Sequence, residues 1–118
     1  MKAEDYEILG KRAYNEKNYK DAANYFTKAL ELRMDKNLLY EIGLTFYKLQ
    51  NYDDAIKYLR KALELDSKFK EAWETLADAL CLVWKFREAV KCYEKAYELS
   101  YEPSLKEKIT SLRLIWDY

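Results

Sequence analysis

The amino-acid sequence predicts an all-α fold, a linear stack of three helix pairs with a seventh helix over its end. Three observations predict it. The stretch Asn51–Leu65, NYDDAIKYLRKALEL, has close relatives in Asn18–Leu32, NYKDAANYFTKALEL, and Lys85–Leu99, KFREAVKCYEKAYEL, whose starts lie 33 and then 34 residues apart. A fixed period of this size marks stacked helical units rather than one globular layout. The chain holds one Pro and two Gly, which leaves few places for sheet turns, while its Ala, Leu, Glu and Lys suit helices. Apolar and small residues recur throughout at three- and four-residue steps, the spacing of one helix face.

Taken in order, Tyr6, Leu9, Gly10, Ala13 and Tyr14 mark the face of a first helix over about 4–17. Asn18 is placed to cap a second, with Asp21 favouring its positive end, running to about Leu32. After a short polar connection, Leu39, Ile42, Gly43 and Phe46 define a third helix, and Asn51 with Asp54 opens the fourth. Asp66-Ser67-Lys68 connects to a fifth, marked by Trp73, Leu76, Ala77 and Leu80. The sixth carries Ala89, Tyr93, Ala96 and Leu99; Lys85 stands where the earlier units have asparagine, so this turn lacks its cap, a loss of about 1 kcal/mol. A last segment starts at Pro103-Ser104, with Ser104 and Glu107 spaced as a capping box. Its apolar positions are Leu105, Ile109, Leu112 and Ile115 with Trp116, and it reads as a helix covering the open end of the stack.

Small residues predict close helix pairs. Gly10, Gly43 and Ala77 recur at one phase in mid-helix, where Gly costs roughly 0.5–1 kcal/mol against Ala. Close approach of the paired helix explains them, with Ala22, Ala55 and Ala89 as the facing small residues and Tyr19, Tyr52 and Phe86 as wedges that set the interhelical angle.

Charge narrows the function. Lys plus Arg and Asp plus Glu both number 21, which argues against a nucleic-acid or anionic-membrane surface. No apolar run approaches a membrane span, and the charged start lacks a signal peptide's apolar centre. Two cysteines are too few for a disulfide framework, and the setting reads as cytoplasmic.

The residues in phase resemble the tetratricopeptide repeat family. The first unit has Tyr6, Leu9-Gly10, Ala13, Tyr19, Ala22, Phe26 and Ala29 at the motif positions. The second has Leu39, Ile42-Gly43, Phe46, Tyr52, Ala55, Leu59 and Ala62, and the third Trp73, Leu76-Ala77, Leu80, Phe86, Ala89, Tyr93 and Ala96. The family's connecting Pro is missing; Met34, Ser67 and Tyr101 take its place. On this resemblance residues 1–118 form one domain, with repeats at about 3–35, 36–69 and 70–103 and a capping helix at about 104–117.

The resemblance implies a right-handed superhelix, an α-solenoid of antiparallel helix pairs, whose first helices line a concave groove that holds a peptide or helix of another protein. By position that groove is lined by Glu4, Glu7, Lys11, Tyr14 and Asn15; then Asn37, Tyr40, Leu44, Tyr47 and Lys48; then Glu71, Glu74, Asp78, Cys81 and Leu82. One branch of the family clamps the acidic C-terminus of heat-shock chaperones with cations and amides. The matching positions here are Glu7, Lys11, Glu41, Glu71 and Thr75, and the resemblance implies that such a tail is repelled.

The expected function is therefore protein–protein interaction. Five acids against two lysines in the groove favour a partner segment bearing Lys or Arg, with Tyr14, Tyr40, Leu44 and Tyr47 as anchors. Against this stands the plainer reading that acids on a solvent-facing side serve solubility. Cys81 and Cys92, with no histidine in the chain, fall short of a zinc site and read as ordinary small residues; no metal or cofactor is expected. The twelve tyrosines lack the basic track of a nucleic-acid stacking surface, and most fall at repeat core positions. No nucleophile motif or phosphate loop is present and Asp53-Asp54 sit where helix-start charges belong, so an enzyme is not expected. The alternatives are a self-associating scaffold using the last helix or the convex face, a hydrolase using groove carboxylates, or a designed or excised repeat domain without its own partner. A monomer or weak dimer is expected, with Trp84, Leu114 and Tyr118 left exposed.

Overall fold

The structure, a computed structural model, describes the backbone of residues 1–116 and the side chains of 1–115. Among the described residues seven helices follow one another: α1 (Ala3–Asn15), α2 (Tyr19–Leu32), α3 (Lys36–Lys48), α4 (Tyr52–Leu65), α5 (Lys70–Leu82), α6 (Phe86–Ser100) and α7 (Pro103–Trp116). Each packs on the next, so α1, α3, α5 and α7 make one layer and α2, α4 and α6 a second. The particle is elongated, 52 × 25 × 21 Å, as a stack must be.

The turn within each pair is built alike. Lys17, Gln50 and Trp84 adopt left-handed φ of 64°, 64° and 66°. The following N–H reaches back five residues, from Asn18 to Ala13 O at 2.8 Å, Asn51 to Phe46 O at 2.9 Å and Lys85 to Leu80 O at 2.9 Å. This is the Schellman closure, made here without the glycine that usually occupies it. The sequence pointed instead to asparagine caps, and only one forms fully. The Asn51 side chain accepts from the Asp54 N–H, whereas Asn18 uses its amide on the Asp21 carboxylate at 2.7 Å. Lys85 makes no side-chain cap, as its chemistry requires.

Close approach within pairs is confirmed, with a larger residue as the nearest partner and Ala55 also against Gly43. A Cβ on Gly10 would lie 2.6 Å from the Phe26 ring, and one on Gly43 would lie 2.8 Å from Leu59 Cγ and 3.3 Å from the Ala55 carbonyl. The glycines thus receive a large knob one turn beyond the predicted alanines. Ala22, Ala55 and Ala89 are themselves fully buried. The wedges pack edge-on: Tyr19 against Tyr14 at 5.3 Å and Tyr52 against Tyr47 at 5.7 Å between ring centroids. In the third unit Cys81 stands at the equivalent place, and Phe86 turns to Trp84 instead.

The last helix needs two corrections. It begins at Pro103, a favoured first position, so Ser104 lies inside the first turn rather than at the cap. The residue before it, Glu102, binds Lys70 at the start of α5 at 2.8 Å. Leu105, Ile109 and Leu112 are buried as expected, but Ile115 is 57% exposed beside Leu114 at 60%. Trp84 is exposed as expected; the sequence reading of Trp116 as an apolar contact, of Tyr118 as exposed, and of a helix to residue 117 lies outside the described residues.

Candidate functional site: the face of the first helices

The predicted groove residues fall into five rows of equivalent positions on α1, α3 and α5: Glu4/Asn37/Glu71, Glu7/Tyr40/Glu74, Lys11/Leu44/Asp78, Tyr14/Tyr47/Cys81 and Asn15/Lys48/Leu82. None is buried; all are half-buried or exposed. The first helices interact across this face. Lys11 Nζ lies 3.9 Å from Glu41 Oε1 between α1 and α3. Tyr40 feels Glu71, Glu74 and Asp78 of α5, and Tyr47 feels Asp78 and Cys81.

Two clefts open on this side. One of about 260 Å³ is lined by Lys11, Tyr14, Asn15, Phe26, Tyr40, Glu41 and Leu44. Another of about 440 Å³ lies between Cys81, Tyr93 and the α7 residues Ser104, Glu107, Lys108, Ser111 and Leu112. Asn37, Lys48, Glu71 and Leu82 line neither.

Charge on this face differs from a count of its five acids. Arg33, from the α2–α3 connection, reaches Glu4 at 3.0 Å and Glu7 at 2.9 Å, and also faces Asp35 at 3.4 Å. Lys70 holds Glu74 at 3.0 Å, and Lys108 of α7 approaches it at 3.7 Å. Asp78 accepts a short hydrogen bond from the Tyr93 hydroxyl. Arg33 comes from the α2–α3 connection and Lys108 from α7, both off the predicted rows, while Lys70 lies one turn before Glu74 on α5 itself. Lys70 was legible as an i,i+4 partner of Glu74; Arg33, in a connection, had no periodic signal.

Glu41 lies outside the predicted rows, beside Tyr40 on α3. Burial, only partly offset by Lys11, pushes its carboxyl up to about 7, and Glu7 and Asp35 push the same way. Its Oε2 is enclosed and meets no donor among the described residues. Burial likewise raises the Asp78 carboxyl and the Tyr40 hydroxyl. The Cys81 thiol is raised, and Cys92 is pushed up to about 11, so both stay protonated at neutral pH. Among the described residues no cluster of His, Cys, Asp or Glu is arranged for a metal, and no helix is long and apolar enough to cross a membrane.

Residues 37–69, the second unit, match the family model described as the tetratricopeptide repeat. The chain carries the tetratricopeptide repeat fold. Comparison with curated protein sequences finds no match. Among solved structures it is similar to the first tetratricopeptide domain of Spaghetti (RPAP3) bound to the HSP90 peptide SRMEEVD. The TM-score is 0.93, with 18% identity over 99% of this chain and 94% of that one. It is also similar to the Arabidopsis OM64 tetratricopeptide domain, with TM-score 0.88 and 23% identity over 94% and 93% of the two chains. The Yersinia enterocolitica type III secretion chaperone SycD, solved with a peptide of the translocator YopD, superposes with TM-score 0.89 and 20% identity, covering 94% and 92%. At these identities the likeness carries the fold, an α-solenoid of tetratricopeptide helix pairs.

Proposed function

We propose that this tetratricopeptide array, read as one domain, binds a peptide or helix of another protein along the face of its first helices and does no chemistry. The observation that carries this reading is the line of half-buried Tyr14, Tyr40, Leu44 and Tyr47 running from α1 to α3, open to a partner and backed by α5 acids. Rigid aromatic anchors of this kind supply binding area at small entropic cost. Two of the solved neighbours, those of Spaghetti and SycD, carry peptides, which supports the same use here.

The preferred segment is basic or mixed basic and apolar. Glu41 and Glu71 stand where a carboxylate tail would need cations or amides, so the reading excludes acidic chaperone tails. The test is selection of a random peptide library on the immobilised protein, followed by binding to a Leu44→Lys/Glu71→Lys variant whose melting temperature matches the parent. Enrichment of Lys- or Arg-bearing peptides that lose affinity for the variant supports the proposal. Tight binding of SRMEEVD would overturn the preference. Peptides indifferent to the variant would move the site elsewhere. The exposed Trp84, Leu114 and Ile115 favour self-association as the second reading, and concentration-dependent mass in light scattering would support it.

A further inference from the structure

We infer that the cleft between α1 and α3 is a subsite for one basic side chain of a bound segment, with Glu41 as its counter-ion. This rests on the peptide-binding reading and adds to it the place and chemistry of one anchor. At about 260 Å³ the cleft lies below the 300–1,000 Å³ typical of sites that enclose a whole small ligand, and it suits a single side chain. Its walls divide by chemistry. Tyr14, Phe26, Tyr40 and Leu44 offer apolar surface for a methylene stem, while Glu41 and Asn15 offer polar groups for its head.

The polar wall is incompletely matched. Glu41 Oε1 has Lys11 at 3.9 Å, a loose ion pair; Oε2 is enclosed and has no donor among the described residues. With Oε2 enclosed and Oε1 only loosely paired, the carboxylate is left short of donors, and a ligand head that reaches Oε1 would supply one. Oε1, on the side of Lys11, is the oxygen left for a guest, and the soft last torsion of glutamate lets it turn toward the head group. The Lys11 side chain is 57% exposed and can swing clear.

The surrounding charges select the sign of the guest. α1 contributes Glu4, Glu7 and Lys11, and the α2–α3 connection contributes Arg33 and Asp35. Arg33 is already engaged by three carboxylates, and α2 presents Phe26. Carboxylates therefore outnumber cations around the cleft, and an acidic guest drawn by Lys11 would meet Glu41 beside it. An ammonium or guanidinium gains both a hydrogen bond and an ion pair there.

The test is an NMR titration of the isotope-labelled protein with Nα-acetyl-lysine-N-methylamide, up to tens of millimolar. The norleucine analogue, which keeps the stem without the charge, and the glutamate analogue serve as controls. The experiment is run at about pH 8, where the Glu41 carboxyl is ionised. The lysine probe should shift the amide signals of Tyr14, Glu41 and Leu44, and the norleucine probe should not. In Glu41→Gln, with its spectrum otherwise retained, the lysine affinity should fall at least about tenfold. In Lys11→Met, which removes the competing cation, it should rise several-fold. Lowering the pH to about 6 should weaken lysine binding to the parent severalfold and leave Glu41→Gln unchanged. Absence of shifts, equal response to norleucine, preference for the glutamate probe, or unchanged affinity in Glu41→Gln each overturns the inference. Library peptides that still bind the first-helix face would show that the broader reading survives its failure; loss of all peptide binding is the separate failure of that reading.

Discussion

The Glu41 carboxyl makes a prediction that needs no partner. Its pKa is raised from 4.5 to about 7 in the folded chain, mainly because its side chain is only 23% exposed. A carboxyl with a raised folded pKa stabilises the fold in full below its unfolded pKa, and that contribution is lost as pH rises through the folded value. The parent should therefore lose stability between about pH 4.5 and pH 7. A tenfold change in acidity corresponds to about 1.4 kcal/mol, and water at the partly exposed carboxyl reduces the total, leaving about 1–3 kcal/mol. For a chain of this size that is roughly 4–12 °C in melting temperature. The sequence favours the measurement, because it contains no histidine to titrate in the same window. Asp78, raised by burial, and Asp66, lowered chiefly by its hydrogen bond from Lys36, act equally in parent and variant. The assay is a set of thermal melts from about pH 5 to pH 8 for the parent and Glu41→Gln. The parent curve should fall relative to the variant, which ends the more stable protein at about pH 8. Parallel curves would refute the account of Glu41 as a desolvated acid.

Three further outcomes follow from packing, turns and surface charge. Gly43→Ala removes a helix penalty of up to about 1 kcal/mol yet drives a methyl against Leu59 Cγ at 2.8 Å, so a net loss of about 1–2 kcal/mol is expected in denaturant melts. Gln50→Gly relieves a left-handed φ of 64° and should stabilise by roughly 0.5–1 kcal/mol; a lower midpoint would contradict the turn geometry. Arg33→Met should leave the melting temperature close to the parent's, because its pairs are part-exposed, while uncovering Glu4 and Glu7. On the proposed function the variant should bind a selected basic peptide with a faster on-rate and steeper salt dependence, measured by stopped flow.

The fold was legible because it is written three times. Each repeat restates where its helices run, so an ambiguous position in one unit is settled by its equivalents, as Gly10 and Gly43 settle Ala77. Errors fell where periodicity gives no constraint. The turn residues Lys17, Gln50 and Trp84 share a backbone conformation but no side-chain chemistry, so nothing in their identities announces it. The start of α7 at Pro103-Ser104 was legible, but Ser104-x-x-Glu107 only mimics a capping box, since Pro103 is already the first helical residue. For the same reason the equivalent positions on α1, α3 and α5 were readable and their charge balance was not. Which acid is paired depends on side chains arriving from a connection or the next helix, such as Arg33 and Lys108.

That distinction changes what can give this face its selectivity. Glu4, Glu7, Glu74 and Asp78 are engaged by Arg33, Lys70, Lys108 or the Tyr93 hydroxyl, and an incoming cation would have to compete with those partners. The part-exposed ion pairs among these are weak, so they set a diffuse field and an on-rate rather than a position. A directional contact needs a group that the fold leaves incompletely matched and partly dry. Glu41 meets both conditions: its carboxyl is desolvated, its Oε2 lacks a donor among the described residues, and rings stand around it. Discrimination among partner segments should then depend more on one residue of α3 than on the number of acids along the groove. A charge reversal at exposed Glu71 should shift the salt dependence of binding, whereas Glu41→Gln should shift which side chain the partner must carry.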